Sequence, residues 1–351
     1  MQPSAPAVKL SIIVPCYNSE EYLPRCLSSL LSQTLDQFEI VCVNDGSTDN
    51  TLDILRTCER ENPGLVRTLS IENRGIWNAR WAGVSASRGE LVTFVDSDDF
   101  VSPDFAQSFW EVFVREEADL VVCGYRRVEG NDWKRASVEM AKICSPFLPT
   151  DEPGRLIEIN PATWNKAFSR DLLERMPSLS NQPRILEDVA FSQLAFLTAR
   201  RPIAFTGKPS YFYMVHGGSN ITTVTPEQID GVKHMLLEVR ADFEADDASA
   251  EMLQALDATA FLHLGVSMSF RLSSSPDIDL SESIATTTRY LDEHFPTWRH
   301  SPFITPTYAY KHGSAYQKLL IAQWFYKANL MRPFLACYRF AIERLGIDIK
   351  W

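Results

Sequence analysis

No apolar run in the 351-residue sequence approaches the roughly 20 residues that cross a bilayer. The opening MQPSAPAVKL lacks the apolar core of a signal peptide. No two of the seven cysteines, at 16, 26, 42, 58, 123, 144 and 337, are spaced C-x-x-C. Neither a zinc site nor a disulfide framework is indicated, so the expectation is mostly buried thiols in a reducing, cytoplasmic setting. The Asn-Ile-Thr sequon at 220–222 then carries no meaning. No G-x-G-x-x-G follows the first strand-like run, and no G-x-x-x-x-G-K-[ST] occurs. These absences exclude a dinucleotide-dependent dehydrogenase and a P-loop enzyme. Positive charge is also short: the formal net charge of −11 argues against a general nucleic-acid binder. An anionic ligand would need a local cation, either a metal or a few placed Arg and Lys.

What is present is ordinary for a globular protein, 45% hydrophobic and 23% charged, in a length suiting one large or two modest domains. The first 125 residues alternate. LSIIVPCYN, FEIVCVND, VRTLSIEN, ELVTFVDSDD and ADLVVCGYRRV read as strands. EEYLPRCLSSLLSQ, STDNTLDILRTCERE, IWNARWAGVSAS and SPDFAQSFWEVFVREE read as helices between them. Such alternation predicts an α/β, doubly wound, mostly parallel sheet of Rossmann-like type. Ligands of these sheets bind outside the carboxyl ends of the strands. PCYN, NDGSTD, EN and DSDD would therefore meet at one edge. Further on, ATWNKAFSRDLLERM predicts a short strand then a helix, ILEDVAFSQLAFLTAR a helix, and PIAFTGKPSYFYMVH a β segment. From 225 the chain becomes helical. Thr225, Pro226 and Gln228 form a capping-box pattern, and Ile229, Val232, Leu236, Val239 and Phe243 an apolar stripe.

DSDD raises the chemical question, because strands disfavour Asp. Asp96 and Asp98, two residues apart at a strand end, can share one hard divalent cation or divide metal and ribose between them. An acidic turn before the next helix has the same pattern. Asp45 could accept from a pyrimidine ring N–H, or serve a turn and helix start. Tyr17 in VPCYN could stack on a base or be half buried. Arg80 could contact base or phosphate, or sit on a helix surface.

Taken together, SIIVPCYN, FEIVCVNDGSTDNT, NRGIWNAR, GELVTFVDSDDF, ATWNKAFSRDLL, LEDVAFS and YFYMVHGGSNIT resemble family 2 glycosyltransferases of the GT-A fold, over about residues 9–223. The resemblance implies a catalytic domain over 1–224, with a nucleotide-sugar half at about 9–125 and an acceptor half at about 126–224. Residues 225–351 would form a C-terminal helical region. It implies metal-dependent, inverting transfer of a hexose or N-acetylhexosamine from a nucleotide diphosphate sugar, with Mn²⁺ or Mg²⁺. Uracil fits Asp45. The acceptor would be a glycan or lipid-linked, in cell-surface polysaccharide synthesis. Pro15, Tyr17, Asn18, Asp45, Asn73, Arg80, Asp96 and Ser97 would hold the nucleotide. Asp98, with Asp96 and His216, would hold the metal. Asp188 would be the base, with Glu187 supporting it, and Trp164 and Lys166 would meet the acceptor. The family often has Arg where Met214-Val215 stands, and Asn where Trp81 follows Arg80. The alternatives are a non-catalytic nucleotide-sugar binder of the same fold, and an Asp-nucleophile phosphatase. Against the phosphatase, Phe100 stands where a small β-branched residue is usual. The basic, aromatic C-terminal helices could meet the inner membrane face peripherally, pair two subunits, or simply pack.

Overall fold

The computed structural model describes residues 7–130, 136–141, 145–180, 185–215, 224–273 and 279–345. The chain divides into two compact units. The first comprises Met1–Leu148, Pro161–Pro177 and Thr198–Ser219; the second comprises Pro149–Asn160, Ser178–Leu197 and Asn220–Trp351. The division is thus not a single cut at 224: two earlier segments group with the C-terminal helices.

The first unit begins with β1 (Leu10–Cys16), α1 (Leu23–Leu31), β2 (Phe38–Asp45), α2 (Thr51–Glu61), β3 (Val66–Ile71), α3 (Ile76–Ala86) and β4 (Leu91–Phe94). β1 and β4 are buried at every residue, as apolar strands covered on both faces should be. α1 turns Leu23, Cys26, Leu27 and Leu30 inward. α3 lies very close to the sheet, since a Cβ on Gly83 would come within 2.3 Å of the Ile13 side chain. These strands stand in the order β3-β2-β1-β4, all parallel. The chain runs outward from β1 to β3, then crosses back to β4 on the far side of β1. That reversal opens a crevice at the carboxyl ends of β1 and β4.

The rest of the unit adds β5 (Phe100–Val101), α4 (Phe105–Glu116), β6 (Leu120–Glu129), β7 (Ser137–Glu139), β8 (Lys166–Ser169), α5 (Arg170–Arg175) and β9 (Ile203–Val215). The sheet here is mixed. Four-residue β8 lies between β4 and β6, antiparallel to both; β6 is parallel to β9, and β5 antiparallel to it. The expected parallel sheet thus gains an antiparallel insertion.

Asp119, fully buried before β6, knits three segments of this unit. It accepts from the amides of Arg200 and Arg201, from Ser169 Oγ and from the Arg201 guanidinium. Burial opposes its ionisation, but these hydrogen bonds outweigh burial and hold its pKa below the ordinary carboxylate value. A depressed folded pKa stabilises the fold above the unfolded value of about 3.9, and that stabilisation is lost as pH falls through the folded pKa. Asp119→Ala should cost about 3 kcal/mol at neutral pH and less at acid pH. Denaturant unfolding across pH measures this, and a loss below about 1 kcal/mol at neutral pH would contradict it.

The second unit holds α6 (Glu187–Thr198) up to Leu197, then α7 (Pro226–Ala245), α8 (Ala250–Ala260), α9 (Ser269–Ser273), α10 (Leu280–His294), α11 (Pro306–His312), α12 (Ser314–Lys327) and α13 (Met331–Leu345). The Thr225–Gln228 capping box forms, and the stripe from Ile229 to Phe243 is buried. Phe261, Trp298 and Tyr326 build an aromatic centre. The segment 149–160 belongs here because Glu158 meets His312 at 2.6 Å and Tyr316 donates to the Gly154 carbonyl. Cys16, Cys26, Cys42, Cys58 and Cys123 are buried thiols, whereas Cys337 is exposed.

Candidate active site

The crevice at the β1/β4 reversal has a volume of about 580 Å³, within the usual range for small-molecule sites. Pro15, Tyr17, Asn18, Asp45, Asn73, Asp96, Ser97 and Asp98 all line it. Tyr17 is 52% exposed. These residues come from the ends of β1 and β2 and from the loops after β1, β3 and β4, as strand-end convergence requires.

The loops are laced to one another. Asn18, in the left-handed region at φ 47°, accepts from Thr48 N at 2.8 Å, and its own amide donates to Ser47 Oγ. Ser19 N donates to Thr51 Oγ1 at 2.7 Å, and Ser19 Oγ and Ser97 Oγ are 2.7 Å apart. Asn18 and Ser97 thus tie loops together as well as lining the crevice. Asp45 accepts from Arg74 N and Gly75 N, both at 2.9 Å, which fixes the loop after β3. Each of its oxygens keeps further acceptor capacity. Gly46 allows this approach: its φ is +67°, and a Cβ there would stand 2.9 Å from Asn73 N.

The carboxylates sit on a four-residue turn closed by Asp99 N donating to the Asp96 carbonyl at 3.0 Å. Asp96 and Asp98 are partly exposed; Asp99 is buried. Asp99 accepts from Tyr211 Oη and Met214 N, both at 2.7 Å. Burial, with the charges of Asp98 and Asp96, raises its pKa well above the usual carboxylate range against those two bonds. Arg25 donates to the Asp98 carbonyl at 3.0 Å while lying over the Phe100 ring.

Three expectations need correction. Arg80 is 2% exposed and does not line the crevice; its guanidinium reaches Asp96 Oδ1 at 3.4 Å and lies over Phe94. There it supports a carboxylate of the crevice. Lys166 is 0% exposed, donating to the Ala162 carbonyl at 2.6 Å and to Asn165 Oδ1, so its ammonium presents no surface to an acceptor. Trp164 is buried in an aromatic stack, 4.5 Å from Tyr211 and 5.5 Å from Tyr213 between ring centres. It packs the core in place of forming an open sugar floor. Met214, where the family often has Arg, turns its side chain into a buried cluster with Phe100 and Val128.

Glu187 and Asp188 open α6, as the sequence suggested, within the second unit. His216 lies outside the described residues. Sequence reading missed Tyr211 and Ser19. A Tyr in a buried strand needs a partner for its hydroxyl, which was the available signal.

A divalent cation fits this turn in its donor set, since Asp96 and Asp98 bring hard carboxylate oxygens to one crevice in an acidic chain. Among the described residues no three His, Cys, Asp or Glu side chains group as a metal cage.

Comparison with known proteins agrees with this architecture. Residues 11–176 match the family model for Glycosyl transferase family 2. A putative glycosyltransferase, EpsH of Bacillus subtilis, is 29% identical over 268 residues, covering 75% of this chain and 76% of that protein. Seven further curated proteins, six named as glycosyl- or glucosyltransferases and one as a chondroitin synthase, are matched over only 12–62% of their own length. The crystal structure of S. aureus TarS 1–349 in complex with UDP-GlcNAc superposes with a TM-score of 0.71 at 20% identity, covering 98% of this chain and 93% of that one. A mannosyltransferase from Pyrobaculum calidifontis, in complex with GDP-Man and Mn²⁺, gives 0.53 at 18% identity, covering 90% and 85%. At such identities the likeness speaks for the fold, which is GT-A. The family-model match over residues 11–176, the curated relatives and the fold together liken the chain to glycosyltransferase family 2.

Proposed function

We propose that the chain transfers a hexosyl or N-acetylhexosaminyl group from a nucleotide diphosphate sugar, preferably UDP-linked, to a hydroxyl of a glycan or lipid-linked acceptor during cell-surface polysaccharide synthesis. One observation carries this: Tyr17, Asp45, Asn73, Asp96 and Asp98, from four separate strand ends, share one crevice at the sheet's reversal. UDP-GlcNAc on the TarS neighbour supports the donor class. GDP-Man with Mn²⁺ on the Pyrobaculum calidifontis neighbour supports a metal. Tyr17 offers a face for stacking, and Asp45 an acceptor for a ring N–H. Asp98 and Asp96 would hold Mn²⁺ or Mg²⁺, which neutralises the charge of a departing diphosphate. Asp188, with Glu187 beside it, takes the acceptor hydroxyl proton as that oxygen attacks the anomeric carbon. Attack opposite the leaving group inverts the configuration. A thermal-shift panel of UDP-, GDP-, dTDP- and CMP-sugars, each with and without Mn²⁺, tests the reading. Stabilisation by one base, dependent on metal, is expected; none from any donor would contradict it.

The acceptor class fits a peripheral place at the inner membrane face. No Asp or Glu occurs between Glu293 and Glu343 in an otherwise acidic chain. α12 buries Leu319, Ala322 and Tyr326, while Ile321 and Trp324 are 47% and 57% exposed, with Lys318 and Lys327 also on the exposed side. No helix among the described residues is long and apolar enough to cross a membrane. The protein should sediment with vesicles containing anionic lipid and less so in high salt. Failure to bind anionic vesicles removes the membrane contact.

A further inference from the structure

Asp99 is the one carboxylate of DSDD to which the proposed transfer gives no role, and its hydrogen bonds point to another residue. Tyr211 Oη donates to Asp99 Oδ2 at 2.7 Å and accepts from Asp96 N at 3.2 Å. One hydroxyl therefore touches the first and last residues of the turn that carries Asp96, Ser97 and Asp98. The other Asp99 oxygen accepts from Met214 N at 2.7 Å, so β9 grips the turn at two places. The Tyr211 ring cannot swing away. It is wholly buried, stacked on Trp164 and set against Phe105.

We infer that Tyr211 is a positioning residue for the donor site, acting through Asp99 and the Asp96 amide to set where Asp96 and Asp98 present their oxygens. The inference rests on the donor-binding reading given above. Two carboxylates two residues apart repel each other, and a turn free to relax would separate them. A metal would then have to draw them together again, weakening its binding. Contacts to the nucleotide from Tyr17 and Asp45 lie on other loops and would be spared.

Tyr211→Phe keeps the ring and removes only the hydroxyl. Calorimetric titration of MnCl₂ into protein with saturating UDP should show the Mn²⁺ Kd raised about tenfold, the scale set by one net hydrogen bond. The UDP Kd without metal should be unchanged, and the rate should recover at high Mn²⁺. Asp99→Asn, which keeps the side-chain size, should shift the metal Kd the same way and serves if the first variant folds poorly. If wild-type protein binds UDP with no metal dependence, the donor-site reading falls and takes this inference with it. If wild type binds UDP with metal but neither variant changes the Mn²⁺ Kd, the inference alone is overturned. It is equally overturned if metal-free UDP binding weakens by the same factor, since that marks general disruption.

Discussion

Asp98→Ala should lower the kcat/KM of metal-dependent sugar transfer by about 10³-fold, on the scale of several kcal/mol of charge stabilisation at a diphosphate leaving group. The effect should be this large because Asp98 is one of the two carboxylates that the turn brings to the crevice. Thermal stability should change little, since Asp98 is partly exposed. Steady-state kinetics over a Mn²⁺ series measures the effect. A rate equal to wild type at saturating metal would contradict the assignment.

Asp188→Asn should lower kcat by roughly 10²–10⁴-fold, the range for a missing general base, while leaving the donor Kd as it was. The split follows from placement. Asp188 stands in the first turn of α6, in the second unit, whereas the lining of the donor crevice belongs to the first. Asn keeps the size and remains tolerable near a helix start, so folding should survive. Binding of UDP-sugar by calorimetry, beside turnover, separates the roles. An unchanged kcat would remove Asp188 as base, and parallel loss of donor binding would make it part of the donor site.

The crevice was legible because parallel βα alternation leaves little freedom: strand ends carrying PCYN, NDGSTD, EN and DSDD must share an edge. Asp45, Asp96 and Asp98 follow from that rule alone. Residue type without burial misled at three positions. Arg80, Trp164 and Lys166 look like ligand-binding residues, yet each is inside. For the last two the cause is sheet order, since β8 lies between β4 and β6 and its surroundings become core. Periodicity reveals strands but not which strand lies beside which. The clamp from Tyr211 to Asp99 spans 112 positions, and the grip of Asp119 on Arg201 spans 82. Such pairings are decided by tertiary packing and leave no local pattern. The grouping of segments 149–160 and 178–197 with the C-terminal helices is hidden for the same reason.

The most direct measurement is a crystal structure of the protein soaked with UDP and MnCl₂, with anomalous scattering recorded at the manganese edge. The account predicts uridine density in the crevice against Tyr17 and Asp45, and an anomalous peak between the diphosphate and the Asp98 carboxylate. Nucleotide bound elsewhere, or a peak away from the Asp96–Asp99 turn, would contradict it.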